Sequence, residues 1–184
     1  KRIFGMKYLI FILIFFIGSC VSEIKIPLKR IKIAVVDTGL ITRGNIPLCE
    51  PEIDYTTKKE YSFGNDELPH GTNVSHIVND IVKDTDQYCQ IIIKVSDNTT
   101  TPKEFFQNSI KAWKYLLSKD VDIINYSAGG ESESAEEKYY ILKLLDKKVI
   151  FVTAAGNAEK EKPPKDLDAL CNFYPACYDD RIIV

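Results

Sequence analysis

The chain has 184 residues, 45% of them apolar and 27% charged, with a formal net charge of −2 at pH 7. That balance fits one globular domain with a core and excludes a disordered or fibrous chain. Because no block of like charge stands out, a nucleic-acid footprint is excluded as well, and polyanions are poor partners.

Residues 1–19 differ in kind from the rest. Lys1, Arg2 and Lys7 lead into "YLIFILIFFIG", an apolar run too short to span a bilayer comfortably and suited to the hydrophobic region of an export signal. Met6 is a natural start inside this stretch, which makes Lys1 to Gly5 upstream sequence. The run closes on Ile17-Gly18-Ser19-Cys20. This resembles the lipobox of bacterial lipoproteins and implies that Cys20 is lipidated and becomes the new N-terminus, although Gly18 is a less usual choice there. A retained apolar anchor is the alternative. Setting Cys20 aside leaves Cys49, Cys89, Cys171 and Cys177, an even set suited to an oxidising compartment. Three pairings are open, with Cys171 to Cys177 attractive for its short loop, and four free thiols stay open too. Cleavage before Cys20 removes three cations and no acid, leaving a mildly acidic exported protein.

Residues 20–30 form a polar lead containing Pro27, and 31–184 read as one domain. "IKIAVV" (31–36), "IIIKV" (91–95), "VDIINY" (121–126), "VIFVTA" (149–154) and "RIIV" (181–184) are dense in β-branched residues, as strands buried on both faces of a parallel sheet are. Residues 40–69, rich in charge and turn formers, predict an irregular surface excursion. Beyond His70, the residues Val74, Ile77, Val78, Ile81 and Val82 predict an amphipathic helix with that stripe inward. From Thr101 a Thr-x-x-Glu capping box with Pro102 at the first helical position starts a second helix, its inner face carrying Phe106, Ile110, Trp113 and Leu117. A third opens at Ser134 with Glu137 in the same capping logic and ends in Lys147 and Lys148, which suit the negative end of a helix dipole. Strand and helix in this rhythm predict right-handed crossovers and an open parallel α/β sheet with helices on both faces.

In such sheets, sites form beyond the carboxyl ends of the strands. Three strands end there in polar or glycine-rich stretches, delivering Asp37, Asn125 to Gly130, and Asn157. His70 opens a helix, where the dipole disfavours the imidazolium and leaves a ring fit to act as a base. Asp37 at the end of an apolar strand needs a partner to offset its desolvation, and a histidine Nδ1–H is a good one.

Val36-Asp37-Thr38-Gly39, His70-Gly71-Thr72-Asn73-Val74, Asn125-Tyr126-Ser127-Ala128-Gly129-Gly130, Ala154-Ala155-Gly156-Asn157 and Tyr174-Pro175-Ala176 followed by Ile182-Ile183-Val184 come in one order. Together they resemble the subtilisin-like serine peptidases, or subtilases, over essentially the whole chain after the leader. The resemblance implies a serine endopeptidase in which Asp37 orients His70, His70 takes the proton from a serine nucleophile, and Asn157 donates its amide to the oxyanion. It further implies that Ser127, Ala128 and Gly129 line the cleft and pair with an extended peptide or protein substrate, glycine keeping that wall open for the side chain preceding the scissile bond. Structural calcium is left open by the resemblance, and no other cofactor is implied. The expected protein is a monomer in the bacterial cell envelope, held to the membrane through lipid on Cys20.

Asp-Thr-Gly is also the aspartic-protease signature, but there is no second copy and the parallel α/β rhythm is wrong for that all-β architecture. Ser127 falls at a substrate-binding position and is not a nucleophile. Asp54 and the carboxylates around Asp66 lack a recognised calcium-loop spacing and read as solvated surface, and His76 reads as structural, so no metal site is assigned. The chain departs from the family at Ser75 and His76, where the family usually has Ala and a small residue. It also holds no Gly-Thr-Ser, the motif that carries the family's nucleophile. The expected domain is therefore C-terminally incomplete, with the serine beyond residue 184. The rival is a pseudoenzyme or peptide-binding module without hydrolysis.

Overall fold

The computed structural model describes residues 29–56, 69–85, 87–157, 167 and 170–184. The leader with Cys20, and Asp66, lie outside the described residues. Five parallel strands, β1 (Ile31–Asp37), β2 (Ile53–Asp54), β3 (Tyr88–Lys94), β4 (Ile123–Tyr126) and β5 (Ile150–Thr153), form one sheet in the order β2-β3-β1-β4-β5. Three helices, α1 (His70–Val82), α2 (Pro102–Leu117) and α3 (Ala135–Asp146), lie between the strands. The expected open parallel α/β architecture is thus present.

Alternation along β1 and β3 sends side chains to two cores, because successive strand residues point to opposite faces. Ala34, Val36, Ile91 and Ile93 pack with Ile110, Trp113 and Leu116 of α2 and with Ile141 and Leu144 of α3. Val35 and Ile92 pack on the other face with Leu40 and Ile46, joined by half-buried Val74 of α1. Trp113 meets Tyr126 and Phe151 edge-on at 4.9 and 5.4 Å between ring centres. Such aromatic pairs add roughly 0.5–1.5 kcal/mol beyond the area they bury. The α2 capping box is complete: Glu104 N donates to the Thr101 hydroxyl, and Thr101 N donates to the Glu104 carboxylate at 3.0 Å.

Two expectations are corrected. The apolar stripe of α1 faces inward only in part: Val74 packs on the second core, but the fully buried residues are Gly71, Thr72, Ser75 and Asn79, while Ile77 and Ile81 are 60% and 76% exposed. A small, polar face lets the helix lie close to the sheet, and the Thr72 and Asn79 side chains find partners there. The Thr72 hydroxyl accepts from Ile41 N at 2.8 Å, the Ser75 carbonyl accepts from Gln90 Nε2 at 2.9 Å, and the Asn79 side chain accepts from Tyr88 OH. The bond at Ser75 is to its backbone, so nothing in the structure explains the departure there. "RIIV" is likewise not a full strand. It makes one parallel bridge, Val152 to Ile183, beside β5.

The capping of α3 is half of what its sequence promises. Ser134 Oγ accepts from Glu137 N at 3.3 Å, but the Glu137 carboxylate turns inward to accept from Tyr178 OH at 3.0 Å and Trp113 Nε1 at 3.4 Å. Burial pushes the Glu137 carboxyl up from its ordinary value of 4.5, against the lowering by those two bonds. A carboxyl with a raised folded pKa contributes stability below about pH 4.5, and that contribution declines as pH rises through the folded value. Glu137→Gln is therefore expected to raise Tm at pH 8, with the gain vanishing toward pH 4. Thermal melts of both proteins at the two pH values check this; a gain that grows toward acid pH would contradict it.

The cysteines pair as Cys49–Cys89 and Cys171–Cys177. The first ties the excursion after β1 to the start of β3. The second closes the short loop ahead of the bridge at Ile183.

Candidate active site

β1 runs through the middle of the sheet and ends at Asp37, whose side chain is only 5% exposed. α1 begins at His70 directly above that strand end, and His70 Nδ1 lies 2.7 Å from Asp37 Oδ1. An ionised carboxylate can only accept, so Nδ1 carries the proton and donates. Nε2 is then left with its lone pair, on a ring that is 58% exposed. The same Asp37 Oδ1 accepts from Thr38 N at 2.8 Å, which fixes the carboxylate from its own loop.

The next residue along each element repeats the stitch. Gly71 N donates to Thr38 Oγ1 at 2.9 Å, which satisfies one of the unpaired amides that open every helix. No side chain caps α1 at Pro69, so Thr38 does that work from a different element. The approach needs glycine at 71. A Cβ there would stand 2.6 Å from Gly39 O and 2.7 Å from Gly39 N, both backbone atoms that cannot swing aside. Gly39 itself turns at φ +90°, and a Cβ on it would meet Glu52 Oε1 at 2.5 Å and Lys94 Cδ at 3.0 Å.

Glu52 and Lys94 escaped the sequence reading. Both are buried under the Asp37 loop: Glu52 Oε1 accepts from Leu40 N at 3.1 Å, and Lys94 stands opposite Asp37 in the β1–β3 register. The one signal was a lysine interrupting the apolar run "IIIKV". Glu52 carried none.

The other two predicted segments leave the sheet at the same edge. From β4, Asn125 Nδ2 donates to Ser127 Oγ at 2.9 Å, and Ala128 and Gly129 follow as a partly open wall. From β5, Thr153 Oγ1 donates toward Tyr126 O at 2.9 Å and Ala128 O at 3.1 Å, tying this wall to the next. Asn157 follows Gly156, which turns at φ +91°, and is exposed. Gly130 exchanges two backbone bonds with Tyr174, at 2.8 and 2.7 Å. That places the Tyr174-Pro175 segment, with a cis peptide bond, against the first wall. Asp37 and His70 are thus in direct contact, and Ser127 to Gly130 and Asn157 stand on the linked ends of β4 and β5.

His76 is half-buried beside Gly44, where a Cβ would come within 3.1 Å of its ring. Asp54 spends its Oδ1 on Thr56 N and Oγ1, both at 2.7 Å. Among the described residues no group of three or more acidic, histidine or cysteine side chains is placed to hold a metal ion.

Comparison with known proteins gives the family and the fold. The chain is 31% identical over 170 residues to the major intracellular serine protease of Bacillus subtilis (strain 168), covering 85% of this chain and 50% of that one. It is 25% identical over 165 residues to the minor extracellular protease Epr of the same strain, covering 85% of this chain and 23% of that one. The chain therefore spans half of one curated relative and under a quarter of the other. Among solved structures, MycP1 with its N-terminal propeptide removed shares the fold at a TM-score of 0.62 and 18% identity, covering 84% of this chain and 55% of that one. A lanthipeptide protease does so at 0.55 and 21% identity, covering 69% of this chain and 39% of that one. The Subtilase family (peptidase S8) matches residues 29–184, so by sequence and by fold the chain belongs to the subtilases.

Proposed function

We propose that this chain is the N-terminal portion of the catalytic domain of a serine endopeptidase, whose nucleophilic serine is supplied by sequence beyond residue 184. The observation that carries the reading is the 2.7 Å bond between buried Asp37 and His70, on an exposed ring whose free Nε2 is ready to accept a proton. In the reaction, Nε2 takes the proton of the serine hydroxyl as its oxygen attacks the substrate carbonyl. The imidazolium so formed is stabilised by Asp37, then returns the proton to the leaving amine. Asn157 donates its side-chain amide to the oxyanion, a contribution worth about 100- to 1000-fold in rate. Ser127, Ala128 and Gly129 pair with an extended peptide by strand addition.

The proposal extends to place and partners. The leader delivers the protein to the bacterial cell envelope, where lipid on Cys20 holds it at the membrane as a monomer. Two disulfides in the structure suit an exported protein.

A fluorophosphonate probe tests the reading on the complete gene product. Covalent labelling of one serine beyond residue 184 is expected, abolished by His70→Ala. Folded protein that takes no label overturns the peptidase and favours a peptide-binding module.

A further inference from the structure

Resting on the reading that lipid on Cys20 holds the protein at the membrane, we propose that the pocket between Arg30 and Lys83 binds the phosphate of a phospholipid headgroup. Arg30 precedes β1, Tyr88 opens β3 and Lys83 follows α1, so all three stand at the end of the layers opposite to Asp37 and His70. With Asn79 of α1 and with Asn45 and Pro47 of the excursion after β1, they line a cavity of about 380 Å³. None of these side chains is acidic. Arginine presents a planar fork of N–H groups that matches phosphate oxygens two at a time, and lysine and asparagine add further donors. Tyr88 OH donates to Asn79 Oδ1, which spends the carbonyl of that buried amide on the protein and leaves Nδ2 to donate.

Arg30 differs from other cations of the domain in lacking a counter-charge. Lys29 pairs with Asp120 and Asp122 at 3.3 and 3.0 Å, and Lys119, Lys138 and Arg181 also lie against carboxylates, whereas Arg30 meets none among the described residues. Lys83 has Asp80 at 3.8 Å, a pair of side chains 54% and 71% exposed that adds little and yields to a better partner. Asp80, exposed Asp84 and the negative end of α1 bring opposing charge to the rim, so diffuse attraction of anions is weak here. Binding depends instead on the donors that line one cavity. The tether says which phosphate they meet. Residues 21–29 separate Cys20 from Arg30, a reach of at most about 35 Å. From Arg30 the chain enters β1, which climbs about 20 Å to Asp37. A lipid on Cys20 therefore keeps this edge beside the bilayer, with its layer of phosphodiesters, and the Asp37–His70 pair on the aqueous side.

The test titrates glycerophosphoglycerol, a water-soluble phosphodiester headgroup, into the mature gene product, with glycerol and inorganic phosphate as separate probes. NMR shifts of the Asn45 and Asn79 side-chain amides report occupancy of the pocket itself. The headgroup should move both amides and glycerol should move neither. Arg30→Gln and Lys83→Gln should each weaken the headgroup at least about 10-fold, the usual effect of losing one charge-assisted hydrogen bond. Arg30→Lys, which keeps the charge and loses the fork, should fall between. Lys29→Gln removes the same charge one residue away, from a cation already paired, and should leave binding nearly unchanged. Amides that do not respond to the headgroup, or equal losses in Lys29→Gln and Arg30→Gln, overturn the pocket. Inorganic phosphate that binds more tightly than the phosphodiester overturns the lipid headgroup as its ligand. The underlying reading fails separately, because the mass of the mature N-terminus shows whether Cys20 carries lipid without reference to the pocket. Headgroup binding by a protein with no lipid on Cys20 sinks the tether alone, and a lipidated protein that binds no headgroup sinks the pocket alone.

Discussion

Asp37→Asn in the complete gene product is expected to lower kcat by about four orders of magnitude with little change in KM, the loss found when the same carboxylate is neutralised in other serine peptidase triads. Asp37 Oδ1 accepts from both His70 Nδ1 and Thr38 N. An asparagine that keeps its oxygen toward both donors preserves the geometry but loses the negative charge that stabilises the imidazolium. If it turns its amide toward the ring, Nδ1 must accept, the proton moves to Nε2, and the ring can no longer serve as a base. Either way the defect lies in proton transfer and not in peptide binding. Steady-state kinetics on a peptide substrate would show it, with the thermal transition measured alongside to establish that the fold persists. Activity within tenfold of the unaltered protein would remove Asp37 from the mechanism.

The second large effect concerns stability. Cys49 and Cys89 are 40 residues apart in sequence, while Cys171 and Cys177 are 6 apart. In the chain-entropy account, closing the longer loop restricts the unfolded ensemble by about 4 kcal/mol and the shorter by about 2 kcal/mol. A domain of this size has only about 5–15 kcal/mol in total. The long bridge also pins a segment with few other anchors: Cys49 N and Gln90 N exchange backbone bonds with Gln90 O and Pro47 O, and the neighbouring Glu50 accepts from Lys119 at 2.9 Å. Glu52, which supports the loop behind Asp37, lies three residues on. Urea unfolding of Cys49→Ala/Cys89→Ala should therefore lose about twice the stability lost by Cys171→Ala/Cys177→Ala. Equal losses, or a larger one from the short loop, would mean that native contacts and not loop entropy dominate.

The strands and the two capped helices were legible in the sequence for a common reason: each depends on residues close together in the chain or on a period that packing preserves; the Asp37–His70 pair, 33 residues apart, was legible because one residue ends a strand and the other opens a helix. β-branched runs become buried parallel strands, and Thr101 with Glu104 closes a box within one turn. What was not legible depended on distance between elements. The hydrophobic period of α1 pointed inward at Ile77 and Ile81, yet the sheet surface admits only the small face of Gly71, Thr72, Ser75 and Asn79. Glu137 has the spacing of a capping partner but lies over Trp113 and Tyr178, which outcompete the helix terminus for its carboxylate.

The strand order has a consequence for how the molecule comes into being. Among the described residues β1 is the first strand in the chain and the middle one of the sheet, flanked by β3 and β4. Ile31 finds Tyr88 and Ile33 finds Ile123 only after dozens of further residues have left the ribosome. At roughly 5–20 residues per second that leaves "IKIAVV" unpaired for seconds, an apolar, β-branched segment of the kind that stacks with its own copies. His70 meets Asp37 only after α1 has docked on that strand, so the Asp37–His70 pair belongs to the assembled sheet and to no earlier stage of the chain's life.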